Sequence, residues 1–377
     1  MNIGIIGGGP AGLYFALLMK KDNPSHEIEI VEQNPPDSTY GWGVVFSGRA
    51  LSFLEESDRD SYADIARSLE LWDRQGIVHK GQRVAIRGST FSGLTRIDLL
   101  RILQEHCRKA GVKFRFRTQV SDPERFSDHD LVVGADGVNS IVRQKYREYF
   151  QPTLDVRSNK YVWYGTNQRF DSLTLIFRQN QAGVFVAHSY SHSKSASTFI
   201  VECDAPTWVK AGFESMTDEE SRTYCAEVFK DDLGGHPLLS NKSAWINFVV
   251  VGNRRWSYKN IVLIGDALRT VHFSIGSGTR TAFEDAIALY RAFAASENVE
   301  AALREFERSR RPTADRLLEV AHHSLVWYEN FRDKMHMDPI PFAYDYMMRG
   351  GRVDHEKLRE RDPDFVAAYE AYKAART

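Results

Sequence analysis

The spacing of apolar residues divides the chain into stretches that predict different kinds of structure. Residues 2–6 read as a short buried strand, residues 27–31 (EIEIV) read as a second strand, and residues 13–20 between them read as a helix. Residues 95–110 place apolar side chains three and four positions apart, as in an amphipathic helix. Two more segments, 113–117 and 130–133, alternate or run apolar as strands do. Because strands alternate with helices, the pattern predicts an α/β fold with a Rossmann-like domain.

In the middle of the chain, between residues 156 and 256, apolar and polar residues alternate with a period of two. Such alternation over short runs is typical of strands in an antiparallel sheet. A helix is predicted to interrupt these strands at residues 216–233, and another, with one apolar stripe, occupies residues 313–331. The predicted strands occupy residues 160–166, 172–180, 183–191, 197–203 and 245–251.

Composition narrows the possible partners and the cellular compartment. The 49 basic and 50 acidic residues leave a net charge of −1, so no overall field attracts nucleic acid or an anionic membrane, and neither is predicted as a partner. No run of ~18 apolar residues is present, which predicts no membrane span. The three cysteines have neither metal-ligand spacing nor an even count, which is typical of a cytoplasmic protein, and no metal site is indicated.

A glycine-rich turn follows the first predicted strand. Gly7, Gly9 and Gly12 form the pattern G-x-G-x-x-G where that strand should lead into a helix. Such glycines permit a tight turn and let a pyrophosphate approach the amides of the helix N-terminus. Glu32, at the end of the second strand, is placed to accept hydrogen bonds from a ribose. The pattern predicts a dinucleotide site, although it does not by itself separate NAD from FAD.

A second glycine-bearing segment lies far along the chain, at residues 261–278. A short apolar strand leads there to Asp266 in a turn, and a loop with Gly276 and Gly278 follows. The carboxylate can hydrogen-bond a ribityl hydroxyl, and a glycine loop lets a flavin ring approach the backbone closely. The alternative is an aspartate helix cap followed by a flexible loop. Two such remote segments suit one long ligand that is held at both ends, which indicates FAD.

Three segments together resemble the fingerprints of a known family. The sequences GGGPAG, ADGVNSIVR and IGDALRTVHFSIGSG are similar to those of the single-component FAD-dependent aromatic hydroxylases, which have the p-hydroxybenzoate hydroxylase fold. The resemblance covers essentially the entire chain. It implies an FAD-binding domain with an inserted substrate domain.

Other segments resemble a narrower group within that family. Residues 40–48, 159–166 and 197–203 look like those of a group that includes the violacein-pathway tryptophan hydroxylase. The same group includes the flavin domains of salicylyl-CoA 5-hydroxylase and 2-aminobenzoyl-CoA monooxygenase. Residues 335–365 look more like the aryl-CoA enzymes than like the violacein enzyme.

The resemblance implies which residues hold the cofactor. The N-terminal glycine turn and Glu32 would bind the ADP half of FAD, and the segment after Asp266 would bind the ribityl chain and the flavin. Arg96 would touch the cofactor, with a solvated position in the first helical turn as the alternative, and Asp136 would support the architecture. The implied cofactor residues are Gly7, Gly9, Pro10, Ala11, Gly12, Glu32, Arg96, Asp266, Gly276, Ser277, Gly278 and Thr279.

Two departures from the wider family leave the surroundings of the flavin ring open. Arg269 replaces the histidine usual in G-D-A-x-H, and His272 with Phe273 replaces a Pro-Pro pair. We predict that His272 is catalytic, as a hydrogen-bonding or proton-relay group near the reacting ring, with a structural role as the alternative. The predicted substrate-binding residues, each of which could instead be ordinary core, are Tyr164, Phe185, His188 and Phe273.

The resemblance also implies an activity. NADH or NADPH would reduce the flavin, molecular oxygen would add at flavin C4a, and the hydroperoxide would hydroxylate a small aromatic substrate. The implied substrate is an ortho-hydroxy- or ortho-amino-aryl CoA thioester, hydroxylated at ring C5. One alternative is an indole or tryptophan-derived substrate of the violacein type, and another is a flavin-binding reductase or non-catalytic flavoprotein. A monomer or a homodimer is expected.

These expectations divide the chain into three parts. The first is a discontinuous FAD-binding domain, the second is an inserted, mainly antiparallel β-sheet substrate domain, and the third is a helical C-terminal region. Their predicted ranges are 1–75, 95–155 and 256–300 for the first, 76–94 and 156–255 for the second, and 301–377 for the third.

Overall fold

The computed structural model describes residues 1–47 and 51–376. Gly48, in the segment 40–48 named above, and Thr377, at the end of the predicted helical region, lie outside the described residues. The strands are β1 (Asn2–Ile6), β2 (Glu27–Val31), β3 (Gly43–Ser47), β4 (Glu70–His79), β5 (Gln82–Thr95), β6 (Lys113–Arg115), β7 (Leu131–Gly134), β8 (Pro152–Thr166), β9 (Leu173–Gln179), β10 (Val184–Ser191), β11 (Ser197–Cys203), β12 (Leu238–Leu239), β13 (Ile246–Asn253), β14 (Ser257–Tyr258) and β15 (Ile261–Leu263).

Helices connect and cover these strands. The helices are α1 (Pro10–Asp22), α2 (Ser52–Ser57), α3 (Arg59–Arg67), α4 (Arg96–Ala110), α5 (Ile141–Lys145), α6 (Arg147–Phe150), α7 (Ala205–Ala211), α8 (Asp218–Val228), α9 (Lys230–Leu233), α10 (Gly278–Ala294), α11 (Val299–Glu329), α12 (Pro339–Met348), α13 (His355–Arg361) and α14 (Pro363–Ala374).

The smaller sheet has six strands in the order β14-β15-β7-β1-β2-β6, and its neighbours are parallel except for β14 and β15. Parallel strands are covered on both faces, which explains the apolar run of β1, whereas β2 (EIEIV) alternates buried isoleucines with glutamates. Helix α1 packs against α4 and α10, and this layer shares one core with the sheet. The predicted Rossmann-like layer is confirmed, and β1 and β2 have the predicted bounds.

The larger sheet has nine strands and is antiparallel except where β4 pairs with β9. Its order is β12-β8-β11-β10-β9-β4-β5-β3, and β13 pairs with β8 as well. Because side chains alternate along a strand, the sheet buries two separate faces. Helices α11 to α14 contribute to the core on one face, and α8 and α9 contribute to the core on the other. The predicted antiparallel sheet is therefore present and larger than expected.

The predicted domain boundary at residue 75 needs correction. Strands β3 and β4 both pair with β5 in the larger sheet, although residues 1–75 were assigned to the FAD-binding domain. Their partner lies later in the sequence, and the local pattern of a strand does not say which sheet it joins. The larger sheet therefore takes part of its edge from the N-terminal segment.

The C-terminal region is helical, as predicted. Helix α11 begins at Val299, earlier than the predicted start at residue 313, and runs through Pro312 to Glu329. A proline inside a helix removes one hydrogen bond. Buried residues on both sides of Pro312, among them Phe306 and Leu317, hold the helix in place. Within the described ranges, none of the helices has both the length and the apolar character needed to cross a membrane.

Candidate active site

A cavity of about 500 Å³ lies where the two sheets and the C-terminal helices meet. The turn after β1, the loop after β15, strands of the larger sheet, and helices α11 and α12 all contribute to its walls. These parts are far apart in sequence. The cavity therefore forms only when the whole chain has folded.

The turn after β1 presents backbone to this cavity. Gly7 has φ of +109°, and a Cβ atom there would lie 2.3 Å from the carbonyl oxygen of Ala135. At Gly12 a Cβ atom would lie 2.4 Å from the Gly7 carbonyl oxygen. Gly9, by contrast, has no atom within 4 Å of such a Cβ, and no side chain caps the helix that begins at Pro10. The first amides of α1 are thus open to an anionic group.

Glu32 stands beside this turn at the end of β2. Its carboxylate accepts hydrogen bonds from the Gly8 amide at 2.8 Å and from the Asn34 amide at 2.7 Å. These bonds fix the carboxylate next to the glycine turn. Its contact with a ribose stays a prediction.

Asp266 faces the cavity from the turn after β15. Its carboxylate has no hydrogen bond to another residue of the described chain, and it is exposed to the space of the cavity. The surrounding protein raises the pKa of Asp266, and the opposite charge of Arg96 lowers it in part. Arg96 also lines the cavity, and its Nε donates to Thr39 Oγ1 at 3.0 Å. The Asp266 carboxylate and the Arg96 guanidinium therefore lie near each other, and both can form further hydrogen bonds to a ligand.

The loop before α10 forms a second backbone surface. Gly276 has φ of +60°, which favours glycine, and a Cβ atom at Gly278 would meet nothing within 4 Å. Ser277 precedes α10 without making a side-chain cap, so the first amides of this helix are also open. Gly276, Ser277, Gly278 and Thr279 all line the cavity. Two uncapped helix N-termini and an unpaired carboxylate at one cavity fit a long ligand with an anionic centre.

Two carboxylates hold loops near the cavity in shape, one beneath the turn after β15 and one before α5. Asp285 accepts hydrogen bonds from the Gly265 amide at 3.1 Å and from Arg310 Nε at 3.0 Å, and it also pairs with Arg269. Arg269, the residue that departs from the family pattern, is therefore an anchor beneath the Asp266 turn. Asp136 accepts from the amide at position 141 at 2.7 Å, which agrees with its predicted supporting role.

His272, predicted as the catalytic residue, lies behind the cavity wall. Its Nδ1 pairs with Ser274 Oγ at 2.8 Å, and its ring packs against Phe248, Phe273 and Tyr328. It is not one of the described residues that line the cavity. Burial lowers the pKa of His272 to about 4, so its imidazole is neutral near pH 7. The geometry favours the structural alternative, in which His272 fixes the turn that carries Phe273 into the cavity.

Tyr164 and Phe185, predicted to bind substrate, lie on the opposite face of the larger sheet. Tyr164 Oη pairs with Ser221 Oγ of α8 at 3.0 Å, and Phe185 packs edge-on against Phe213 with ring centroids 6.4 Å apart. Both side chains belong to the core beneath α8 and α9. The prediction is wrong for these two residues because side chains alternate along a strand, and on β8 it is Trp163 that faces the cavity.

The other predicted substrate residues, His188 and Phe273, do line the cavity, with ring centroids 5.2 Å apart. Residues absent from the prediction complete this wall. A signal existed for those on β8, since alternation puts its cavity-facing residues two positions apart. No sequence signal marked the contribution of the C-terminal helices. The further residues of the wall are Tyr161, Trp163, Leu173, Leu175, Tyr190, Ile200, Phe248, Ser324, Tyr346 and Arg349.

The sequence matches one family over most of its length. Residues 1–321 match the family described as FAD binding domain. The chain belongs to this FAD-binding family. The open helix N-termini and the unpaired Asp266 carboxylate are consistent with FAD as its cofactor.

Three similar proteins are named as a hydroxylase and two monooxygenases, which confirms the predicted enzyme class. The chain is 40% identical over 377 residues to the salicyloyl-CoA 5-hydroxylase of a Streptomyces species, covering 97% of this chain and 72% of that one. It is 37% identical to the protodeoxyviolaceinate monooxygenase of Chromobacterium violaceum, covering 93% and 94%. It is 34% identical to a 3-hydroxy-4-methyl-anthranilyl aryl-carrier-protein 5-monooxygenase of Streptosporangium sibiricum, covering 95% and 97%.

A solved structure extends the comparison to the fold. The 2-methyl-3-hydroxypyridine-5-carboxylic acid oxygenase superposes with a TM-score of 0.71 over 95% of both chains, at 16% sequence identity. At this identity the likeness concerns the fold, which is the one predicted from the sequence.

Proposed function

We propose that the protein hydroxylates an aromatic ring that is bound as a thioester and carries an ortho hydroxyl or amino group. Oxygen would be added para to that group, at ring C5. The names of two similar proteins, which refer to a salicyloyl-CoA and to an anthranilyl group on a carrier protein, support this proposal. The main observation in its favour is that a single cavity is lined by the turns after β1 and β15, by aromatic side chains of the larger sheet, and by a group of arginines.

In this proposal FAD lies along the turn-and-loop side of the cavity. The amides before α1 would face its pyrophosphate, Arg96 and Asp266 would bind its ribityl chain, and residues 276–279 would support the flavin ring. Bound FAD, reduced by NADH or NADPH, supplies the activation of molecular oxygen. The residues of this chain would orient the substrate ring and exclude water from it.

The arginines favour a thioester with phosphate groups over a free aromatic acid. Arg280, Arg352 and Arg361 all line the cavity, and the last two are exposed, which places them where the cavity opens to solvent. Arg352 and Arg361 form no ion pair with any described residue, whereas Arg280 pairs with Glu284 at 2.7 Å. Partial burial and the like charge of Arg280 lower the pKa of Arg352. A group of partly unpaired guanidinium ions suits a phosphate-bearing carrier.

The substrate ring would lie against the aromatic wall. The side chains of Tyr161, Trp163 and Phe273 offer ring surfaces for stacking there. Other residues of the cavity would position the carbon that reacts. An ortho hydroxyl or amino group donates electron density to the para carbon, so C5 is already activated. The protein therefore needs to supply orientation more than acid catalysis.

The test is a panel of salicylate, anthranilate, their CoA thioesters, a carrier-protein thioester and indole derivatives. Each is incubated with FAD-loaded protein and NADH or NADPH, and products are scored by mass spectrometry for one added oxygen. We expect turnover of the thioesters only. Selective turnover of indole derivatives would support a substrate like that of the violacein-pathway relative, which is 37% identical.

Arginine variants test the phosphate contact separately. The double variant Arg352→Gln with Arg361→Gln should raise KM for the CoA thioester roughly ten-fold, with a smaller effect on kcat, because it removes contacts remote from the ring. The control is Arg304→Gln, an exposed arginine on α11 that does not line the cavity. Equal KM values in the double variant and the control contradict the phosphate contact.

A further inference from the structure

One pair of buried polar groups outside the cofactor turns reaches the cavity. His188 on β10 lines the cavity, and its Nε2 lies 3.1 Å from Oε2 of Glu202 on β11. His188 is 5% exposed and Glu202 is 1% exposed. A buried carboxylate is tolerated when it is paired and hydrogen-bonded, so the two side chains form a unit.

The Glu202 carboxylate is held from a second side. Asn159 Nδ2 donates to Glu202 Oε1 at 2.8 Å and to the backbone carbonyl of Tyr328 at 3.1 Å. Burial acts to raise the pKa of Glu202, but the hydrogen bond from His188 and the other polar contacts outweigh it, and the pKa is lowered. Glu202 is therefore ionised near pH 7, and both of its oxygens accept hydrogen bonds.

The ionised carboxylate fixes the tautomer of His188. Because a carboxylate only accepts, Nε2 of His188 carries a proton, and in the neutral imidazole Nδ1 then keeps a lone pair. Nδ1 makes no hydrogen bond to any residue in the ranges 1–47 and 51–376. The imidazole is packed against the rings of Phe273 and Tyr328, with centroids 5.2 and 4.9 Å away. The nitrogen left for a ligand in the cavity is therefore an acceptor.

We propose that His188, oriented by Glu202, accepts the proton of the ring hydroxyl that lies ortho to the thioester. This inference rests on the proposed function. The ring O–H bond breaks, its electron pair stays on the oxygen, and the proton forms a bond to Nδ1. The new imidazolium charge is balanced by Glu202 on one side and by the phenolate on the other. The phenolate donates more electron density to C5 than the neutral hydroxyl does, which favours attack by an electrophilic oxygen there.

Neighbouring titratable groups do not compete for this proton near pH 7. Burial lowers the pKa of His272 to about 4, and its Nδ1 is already paired. Burial, followed by the nearby negative charges, raises the pKa of Tyr161 to about 12. The titratable groups that interact with the pair from the surrounding elements are Tyr161, His272 and Tyr328, and the ion pair of Glu329 with Arg157 acts on His272.

The test uses a ring probe whose ionisation is visible. The probe is the CoA thioester of salicylate with a nitro group at C5, a position that is thereby blocked to hydroxylation. FAD-loaded protein is titrated with pH at a fixed probe concentration, and the phenolate absorbance is read against probe-free protein. We expect the wild-type protein to lower the pKa of the bound hydroxyl by about one unit or more relative to the free probe. His188→Gln should abolish this shift, and Glu202→Gln should remove most of it.

Controls separate the proton acceptor from a packing role. His322→Gln changes an exposed histidine on α11 and should keep the wild-type shift. FAD content and melting temperature report whether each variant is folded. If Glu202→Gln does not fold, His188→Asn is measured in its place. An equal probe pKa in the wild-type protein and in the His188 variants overturns this inference, even where the wild-type protein hydroxylates aryl thioesters. Failure of the wild-type protein to hydroxylate any ring thioester overturns the proposed function itself.

Discussion

The half of the cavity where we propose that FAD binds, the cofactor half, and the half proposed for the substrate, the substrate half, are built from different parts of the polypeptide. The cofactor half presents backbone: the first amides of α1 and α10 are left open by glycine-bearing turns. The substrate half presents side chains from several strands and from α11 and α12. At a crowded glycine of a backbone site an added Cβ atom meets other backbone atoms, whereas a substitution in a side-chain site alters the contacts of one side chain. The two halves should therefore respond differently to mutation.

The largest effect is expected at Gly7, in the turn that carries the cavity-lining Gly9. In Gly7→Ala the new Cβ would meet the carbonyl oxygen of Ala135 at 2.3 Å in a backbone with φ of +109°. We expect a loss of about 3 kcal/mol or more in the free energy of unfolding, together with loss of FAD. Gly9→Ala is the matched control, because nothing lies within 4 Å of its Cβ, and it should melt like the wild-type apoprotein. Equal melting of the two variants would contradict the backbone account.

The next effect concerns pH and His272, which lies behind the wall between the two halves. Its pKa in the folded protein is about 4, below the ordinary value of 6.5, because of burial. The unfolded chain thus binds the proton first, so stability is full above pH 6.5 and is lost as pH falls toward 4. This ring alone should reduce the free energy of unfolding by roughly 3 kcal/mol over that range.

His272→Gln checks this assignment. The variant should flatten the loss of stability between pH 6.5 and 4, measured by denaturant unfolding, and should keep the pH profile of turnover above pH 6.5. Part of the dependence will remain, because burial also lowers the pKa of His192 to about 4. If the variant binds FAD normally but yields hydrogen peroxide in place of product, His272 has a catalytic role and the structural assignment is wrong.

A smaller effect, confined to cofactor affinity, is expected at Asp266. Asp266→Ala should weaken FAD binding by roughly 1.5 to 3 kcal/mol, the worth of a hydrogen bond to a charged group. Stability of the apoprotein should not fall, since this carboxylate has no hydrogen bond to any other described residue. Asp136→Ala provides the contrast, because Asp136 accepts from the amide at position 141 and its loss should lower stability. Fluorescence titration with FAD and thermal melting distinguish the two outcomes.

The smallest effects are expected on strand β8, and they test which of its side chains face the substrate half of the cavity. Tyr164→Phe should cost about 1 kcal/mol of stability, because its hydroxyl loses the bond to Ser221, and should leave product yield per NAD(P)H unchanged. Trp163→Phe, one position earlier on β8, should keep stability but release more peroxide, because Trp163 lines the cavity. If Tyr164→Phe released more peroxide and Trp163→Phe only lost stability, Tyr164 and not Trp163 would face the cavity.

Features that depend on local sequence were predictable. The strands β1 and β2 and the start of α4 follow the apolar pattern, and Thr95 caps that helix by accepting from the Asp98 amide. The glycine turn and the position of Asp266 were also visible, because each is set by a few consecutive residues. The resemblance in these same segments gave the family.

Features that depend on distant partners were not predictable. Strand β3 joins the larger sheet because it pairs with β5, and nothing within β3 indicates this. The choice of Tyr164 in place of Trp163 was an error of one position, which moves a side chain to the other face of a sheet. The exposed Arg352 reaches the cavity only through the packing of the C-terminal helices. His188 was correctly placed at the cavity, but its pairing with Glu202 needed the strand register.

The most direct test of the account is the transfer of one oxygen atom from O₂ to a ring thioester. FAD-loaded protein, NADH or NADPH, 18O-labelled O₂ and the CoA thioester of salicylate are incubated together, and the product is examined by mass spectrometry and NMR. We predict one labelled oxygen at ring C5, with reduced nicotinamide consumed in proportion. Product without the label, a label at another ring carbon, or nicotinamide oxidation that yields only hydrogen peroxide would contradict it.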